Sequence, residues 1–256
     1  MLAWLRRRRL ARRAEALTPS RDEVRGLCAR TPCLAGLDTV ERDRLARLAG
    51  WILADKTFHG AGGLQPEWQD CLPVALHAAL PLLARDPDWY RHFRTFILYR
   101  DEFEVEIEET DEAGIVHRGR DRRAGEAWYR GPVVLSLADV AASGHGEGYD
   151  VVIHELAHQI DQLSGDADGG PPLPRGIDPG DWRRTFTAAY RRLHAALDAG
   201  IEPFMDPYAA ESAAEYFAVA VEYFFDAPRE LRRHEAGVYR LLAALFAQDP
   251  ARRASS

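Results

Sequence analysis

The order helices, then a small sheet, then helices predicts an α+β protein, mostly helical with a small mixed sheet. Three observations carry that expectation. Apolar residues recur at helical spacing through the first third, apolar and acidic residues alternate through the middle, and the helical pattern returns from Asp150 onward. The length of 256 residues, with 46% hydrophobic and 29% charged, suits a globular chain and excludes a wholly disordered, collagen-like or coiled-coil one. Neither repeats nor a low-complexity linker interrupt it. One domain over 1–256 is expected, with a basic, frayed arm at 1–20 and a flexible tail at 250–256.

Asp38 and Glu41 have the spacing of a capping box and open a helix over 40–54, where Leu45, Leu48, Trp51 and Ile52 form an apolar face. A glycine-rich break follows at 59–63. Residues 67–84 read as helix again, with Pro73 early enough to be tolerated. The period then changes. Thr95–Tyr99 is a short strand. Phe103, Val105 and Ile107 alternate with Glu102, Glu104, Glu106 and Glu108, as in a half-buried strand with an acidic outer face. Ile115–His117 and Pro132–Leu137 complete the sheet. From Asp150 the chain is helical, apart from a loop at 165–180 that holds four prolines.

The net charge of −7 argues against a general nucleic-acid binder. Residues 1–13 nevertheless carry six arginines and no acid, which leaves about −13 on the remainder. No apolar segment of signal-peptide length follows this basic start, and no run approaches the roughly 18–20 apolar residues that span a bilayer. A cytoplasmic protein without stable membrane anchoring is expected, its arginine run a solvated helix start. Cys28, Cys33 and Cys71 form no CxxC and leave one unpaired, which suits a reducing compartment.

The chemistry sits in Val152-Ile-His-Glu-Leu-Ala-His158, an HExxH sequence. On a helix His154 and His158 lie one turn apart on one face and can share a metal ion, with Glu155 beside it to take a proton from water. Zinc suits such a set, being tetrahedral and redox-silent. An accidental surface helix would not be this apolar, and buried His and Glu need partners. A third ligand is sought in Tyr208–Phe225, where Glu211, Glu215 and Glu222 fall on one stripe. Glu215 and Glu222 lie among Tyr, Phe, Ala and Val, too apolar for a solvated face. Asp161 extends the His154/His158 face, as a group orienting an imidazole or as a helix-end cap. His59, His77, His92, His145, His194 and His234 show no ligand spacing and read as ordinary histidines.

Five stretches together resemble the Mlc titration factor A family of bacterial zinc metallopeptidases. They are the arginine-rich start, Lys56-Thr-Phe-His-Gly with Gly63-Leu, Gly131-Pro-Val-Val-Leu-Ser, the HExxH segment extended to Asp161, and Tyr208-Ala-Ala-Glu-Ser-Ala-Ala-Glu-Tyr-Phe-Ala-Val with Glu222-Tyr-Phe. The resemblance implies a zincin-like fold, an aminopeptidase-like zinc peptidase activity on peptide substrates, and binding of the glucose repressor Mlc, with no direct nucleic-acid contact. It implies His154 and His158 as zinc ligands, Glu155 as general base and Glu215 as third ligand. The family's C-terminal half is similar to the protease domain of anthrax lethal factor. There a tyrosine seven residues before the ligand glutamate stabilises the transition state, and Tyr208 matches it. Glu222 is then expected behind the ligands. Leu137 stands where the family suggests tryptophan.

The resemblance also matches His117 to a family histidine able to coordinate the same metal, filling the position that water and substrate need. The resting enzyme would then be latent, with Gly114 and Gly119 as hinges. His117→Ala should therefore keep its zinc and show an equal or higher basal peptidase rate in a peptide-cleavage assay. Loss of both metal and activity would make His117 a permanent ligand.

Overall fold

The computed structural model describes the backbone of residues 2–101, 103–110, 116–123, 125–127, 131–165 and 168–253, and their side chains except at 2, 3, 5 and 6 and within 103–127. The first layer is helical: α1 (Leu2–Ala16), α2 (Arg21–Cys28), α3 (Pro32–Ala35) and α4 (Thr39–Asp55). The capping box read from the sequence starts α4, with the Glu41 N–H donating to Asp38 at 2.8 Å and the Asp38 N–H to Glu41 at 3.0 Å. The chain continues through β1 (Thr57–Gly60), α5 (Trp68–Ala79), β2 (Thr95–Tyr99), the hairpin β3 (Phe103–Thr110) and β4 (Val116–Arg123), then β5 (Gly125–Ala127) and β6 (Val133–Ser136). It ends in α6 (Leu137–Ala142), α7 (Val151–Asp161), α8 (Pro179–Asp198), α9 (Ala213–Asp226), α10 (Pro228–His234) and α11 (Ala236–Phe246). Helices on a small mixed sheet make this α+β.

The sheet has the order β1-β2-β6-β5. Its first three strands are parallel, and β5 runs antiparallel to β6. Central β6 is buried at every position, as a parallel strand covered on both faces must be. β3 and β4 pair separately, with Glu109 opposite His117. Under the sheet, α5, α7, α9 and α11 share one core that includes Leu76, Phe96, Leu135, Leu156, Phe217, Phe224 and Phe246. Among the described residues no helix is long and apolar enough to cross a membrane.

Several expectations need correction. The glycine-rich break at 59–63 hides β1, because a parallel edge strand four residues long has too few positions to show a period. The strand expected at 115–117 is β4 and runs on to Arg123, with Arg118, Arg120 and Arg122 opposite Glu108, Glu106 and Glu104 of β3. A break at 199–212, holding a 3-10 turn at Pro207–Ala210, divides α8 from α9, so Glu211 lies outside the helix of Glu215 and Glu222. The arginine-rich start is helical, its arginines from Arg7 to Arg13 exposed, and the end of that helix meets α4. Gly50 of α4 lets α1 approach so closely that a Cβ there would lie 2.6 Å from the Ala14 carbonyl and 2.7 Å from the Thr18 hydroxyl. At the other end Pro250–Arg252 is a 3-10 turn, and Arg253 reaches Glu41 at 3.1 Å, while 254–256 lie outside the described residues.

Lys56, the chain's one lysine, caps the end of α4 and is 2% exposed. Its ammonium donates to the Tyr90 carbonyl, to the Phe93 carbonyl at 2.9 Å and to Asp55 at 2.9 Å, which fixes the start of β1 beside β2. Burial lowers its pKa to about 8 despite Asp55.

An alanine in the middle of a helix ordinarily adds about 1 kcal/mol over glycine. Gly50→Ala should instead cost roughly 1–3 kcal/mol, because backbone atoms of α1 must give way. A urea titration of the variant checks the sign.

Candidate metal centre

The site is built by two helices side by side. Asp150 starts α7: its carboxylate accepts the Ile153 N–H at 3.1 Å, which sets the first turn of the helix carrying the HExxH histidines. Ser212 starts α9 in the same way, accepting the Glu215 N–H at 3.1 Å. Ser212 and Glu215 have the spacing of a capping box, but only the serine half is made. The Glu215 carboxylate turns to the histidines instead of back to the helix start.

His154 Nε2 lies 3.1 Å from Glu215 Oε2, His158 Nε2 lies 3.2 Å from the same oxygen, and the two Nε2 atoms are 3.2 Å apart. Glu222 fixes the state of the first ring. Its Oε1 is 2.7 Å from His154 Nδ1, and a carboxylate accepts only, so Nδ1 carries the proton and a neutral ring presents a bare Nε2. The other Glu222 oxygen accepts the Asp150 N–H at 2.7 Å. Three electron-rich atoms therefore converge without a hydrogen among them unless a ring is protonated. A proton can bridge one pair at a time, whereas a metal ion serves all three. Ligands of a tetrahedral ion with bonds of about 2.0–2.1 Å sit about 3.3 Å apart, close to the distances found. The residues present fit a metal ion.

Without a metal ion, protons take its place among the three atoms. Burial disfavours a charged His154, but Glu222 and Glu215 more than offset it and hold its pKa well above the ordinary value. Burial alone would raise the pKa of Glu215. Hydrogen bonds from His154 and His158 outweigh that and keep it well below the usual carboxylate range. The side chains of the three residues are 13%, 13% and 19% exposed, so each keeps some contact with solvent, as a catalytic site with a free coordination position requires.

Glu155 is buried on the same turn. Tyr208, in the 3-10 turn before α9, is 45% exposed and its ring centre is 6.0 Å from that of His154. Asp161 accepts the Gly169 N–H at 2.8 Å, which ties the following loop to the end of α7, and burial raises its pKa to about 6. Glu211 is exposed. His117 has its backbone in β4, and its side chain lies outside the described residues. Sequence reasoning missed two carboxylates that hold the start of α7. One is Asp150, which a helix-capping signal before the apolar run could have revealed. The other is Asp226, which accepts the N–H groups of Gly146, Gly148 and Tyr149 at 2.8, 2.7 and 3.2 Å. Gly148 is required there: its φ is +83°, and a Cβ would lie within 2.6 Å of the Tyr223 ring.

The sequence model of the glucose-regulated metallo-peptidase M90 family matches residues 2–247 of the chain. The chain is 38% identical over 222 residues to Mlc titration factor A of Serratia proteamaculans, covering 86% of this chain and 84% of that protein. It is 35% identical over 223 residues to the Yersinia pestis protein of the same name, covering 86% and 82%. With the Salmonella arizonae protein, also so named, it shares 30% identity over 243 residues, 94% of this chain and 97% of that one.

Glu215→Ala should abolish stoichiometric metal binding. Glu222→Ala should weaken it about 10–100-fold, the usual loss when the group behind a ligand is removed. Chelator competition on the purified variants measures both.

Proposed function

The chain belongs to the glucose-regulated metallo-peptidase M90 family, and on that premise we propose that it is a zinc-dependent peptidase of zincin type acting in the cytoplasm. The observation that carries this reading is the convergence of His154, His158 and Glu215, three partly exposed donors within 3.2 Å of one another. Zinc held there would polarise a peptide carbonyl and lower the pKa of water. Glu155, one residue from a ligand, takes the proton of the attacking water and passes it to the leaving amine. Tyr208, exposed beside His154, would donate a hydrogen bond from its hydroxyl to the oxygen that gains charge in the tetrahedral transition state. β5, at the sheet edge along α7, offers backbone groups to an extended peptide.

The name of the relatives supports a second role: binding a glucose-type repressor of the Mlc kind and withdrawing it from its target genes. Hydrolysis would then be incidental, and zinc would stabilise a binding protein. The two roles separate experimentally, because hydrolysis needs Glu155 and binding does not.

Glu155→Gln should retain one zinc per chain and lose at least about 100-fold in peptide cleavage. Tyr208→Phe should lose about 100-fold in kcat, as when one oxyanion donor is removed, with its zinc unchanged. A peptide-library cleavage assay with metal analysis of each variant is the test. Cleavage at the wild-type rate by Glu155→Gln would place the activity elsewhere, and repressor binding by that inactive variant would favour the second role.

A further inference from the structure

Behind the metal centre lies a second buried group of potential ligands: Cys33 of α3, His77 of α5 and Asp150 at the start of α7. None of the three is more than 7% exposed. By residue type the set could hold a metal, but its geometry does not fit one. His77 Nδ1 and Asp150 Oδ2 are 2.6 Å apart, a direct charge-assisted hydrogen bond. Two ligands of one tetrahedral ion sit farther apart, about 3.3 Å.

What Asp150 does explains why it needs such a partner. Its Oδ1 accepts the Ile153 N–H and so starts α7. Its backbone N–H donates to Glu222 Oε2, while Glu222 Oε1 takes the Nδ1 proton of His154. Fully buried, Asp150 is out of reach of the bulk solvent that would stabilise its charge. Nearby Asp226 is already occupied by three backbone N–H groups and adds negative charge rather than relieving it. Without the His77 bond, the Oδ2 oxygen would be a buried anion lacking its ion-pair partner. The start of α7 would have to shift to solvate it, and Glu222 would shift with it.

We propose that His77 is a positioning residue for the metal centre: its bond to Asp150 holds the start of α7, and through Glu222 it sets the orientation and tautomer of His154. The chain of contacts is His77 Nδ1 to Asp150 Oδ2 at 2.6 Å, Asp150 N to Glu222 Oε2 at 2.7 Å, and Glu222 Oε1 to His154 Nδ1 at 2.7 Å. It joins α5, α7 and α9. A histidine 77 residues before the first ligand thus belongs to the support of the site, although no spacing in the sequence connects them. The inference rests on the reading of His154, His158 and Glu215 as metal ligands.

The test measures zinc affinity by chelator competition, alongside thermal unfolding, for the full chain and five variants, one of them Cys33→Ser. His77→Leu removes the donor at similar volume. His77→Asn places an amide N–H close to where Nδ1 was. His77→Gln carries that amide one methylene farther out. Leu76→Ala, at a fully buried neighbour outside the contact chain, serves as the control for lost stability. His77→Leu should bind zinc about tenfold less tightly, at the lower end of the range for groups behind a ligand. His77→Asn should recover most of that loss, and Leu76→Ala should unfold at a lower temperature with wild-type zinc affinity. If His77→Leu does not fold, His77→Gln takes its place, with the same tenfold deficit expected against His77→Asn. Wild-type affinity in His77→Leu or His77→Gln, or an equal deficit in His77→Asn, would overturn the proposal. So would a second zinc equivalent that Cys33→Ser removes, since the cluster would then be a metal site itself. A wild-type protein that binds no zinc would bring down the peptidase reading and this inference together, a result distinct from loss of the inference alone.

Discussion

Two imidazole nitrogens and a carboxylate oxygen repel one another when held within 3.2 Å, unless positive charge sits among them. The architecture around α7 and α9 makes sense as a way of forcing that arrangement. Neither helix could do so alone. Two histidines four residues apart share a face on any helix. Their approach to a carboxylate on a neighbouring helix needs both helix starts fixed to a fraction of an ångström. Asp150 and Ser212 do this as caps, each bonding the N–H three residues into its own helix.

Helix α9 carries most of the load. It is buried from Tyr216 to Asp226, so it must be apolar all round, and each acid it contains needs a partner. Glu215, Glu222 and Asp226 follow one another at seven and four residues, along one stripe facing α7 and the turn before it. Glu215 joins the histidines, Glu222 holds both a ring and the backbone at the start of α7, and Asp226 gathers three N–H groups of the preceding turn. Removing one partner of a buried charged pair typically costs about 3–5 kcal/mol, far more than the pair adds over a hydrophobic replacement. Such acids serve placement more than stability. The same stripe therefore fixes where Glu215 meets the two histidines and where the chain enters the helix that bears them.

Much of this was legible in the residues. The HExxH spacing and its apolar setting mark α7. Glutamates among aromatic residues mark α9, and Asp38 with Glu41 marks the start of α4. What stayed hidden was set by tertiary contact. β1 is four residues long and ends in glycine, so it carried no period. Helix α1 reads as a solvated arginine run, because its docking depends on the absence of a side chain at Gly50. His77 looks ordinary in sequence, because its partner lies 73 residues away and is brought to it by packing. Ser212 and Glu215 even carry a local signal for a complete capping box, which the histidines override by claiming the carboxylate.

The family match covers nearly the whole chain, so the metal centre and the surfaces that would meet a protein partner belong to one inherited unit. The proposed peptidase chemistry depends on what the converging side chains hold. X-ray absorption at the zinc edge of the loaded protein is the most direct measurement of that. Coordination by His154, His158 and Glu215 predicts a shell of nitrogen and oxygen at about 2.0–2.1 Å with the outer scattering of two imidazoles. A sulfur neighbour at about 2.3 Å, or a shell without imidazole scattering, would contradict it.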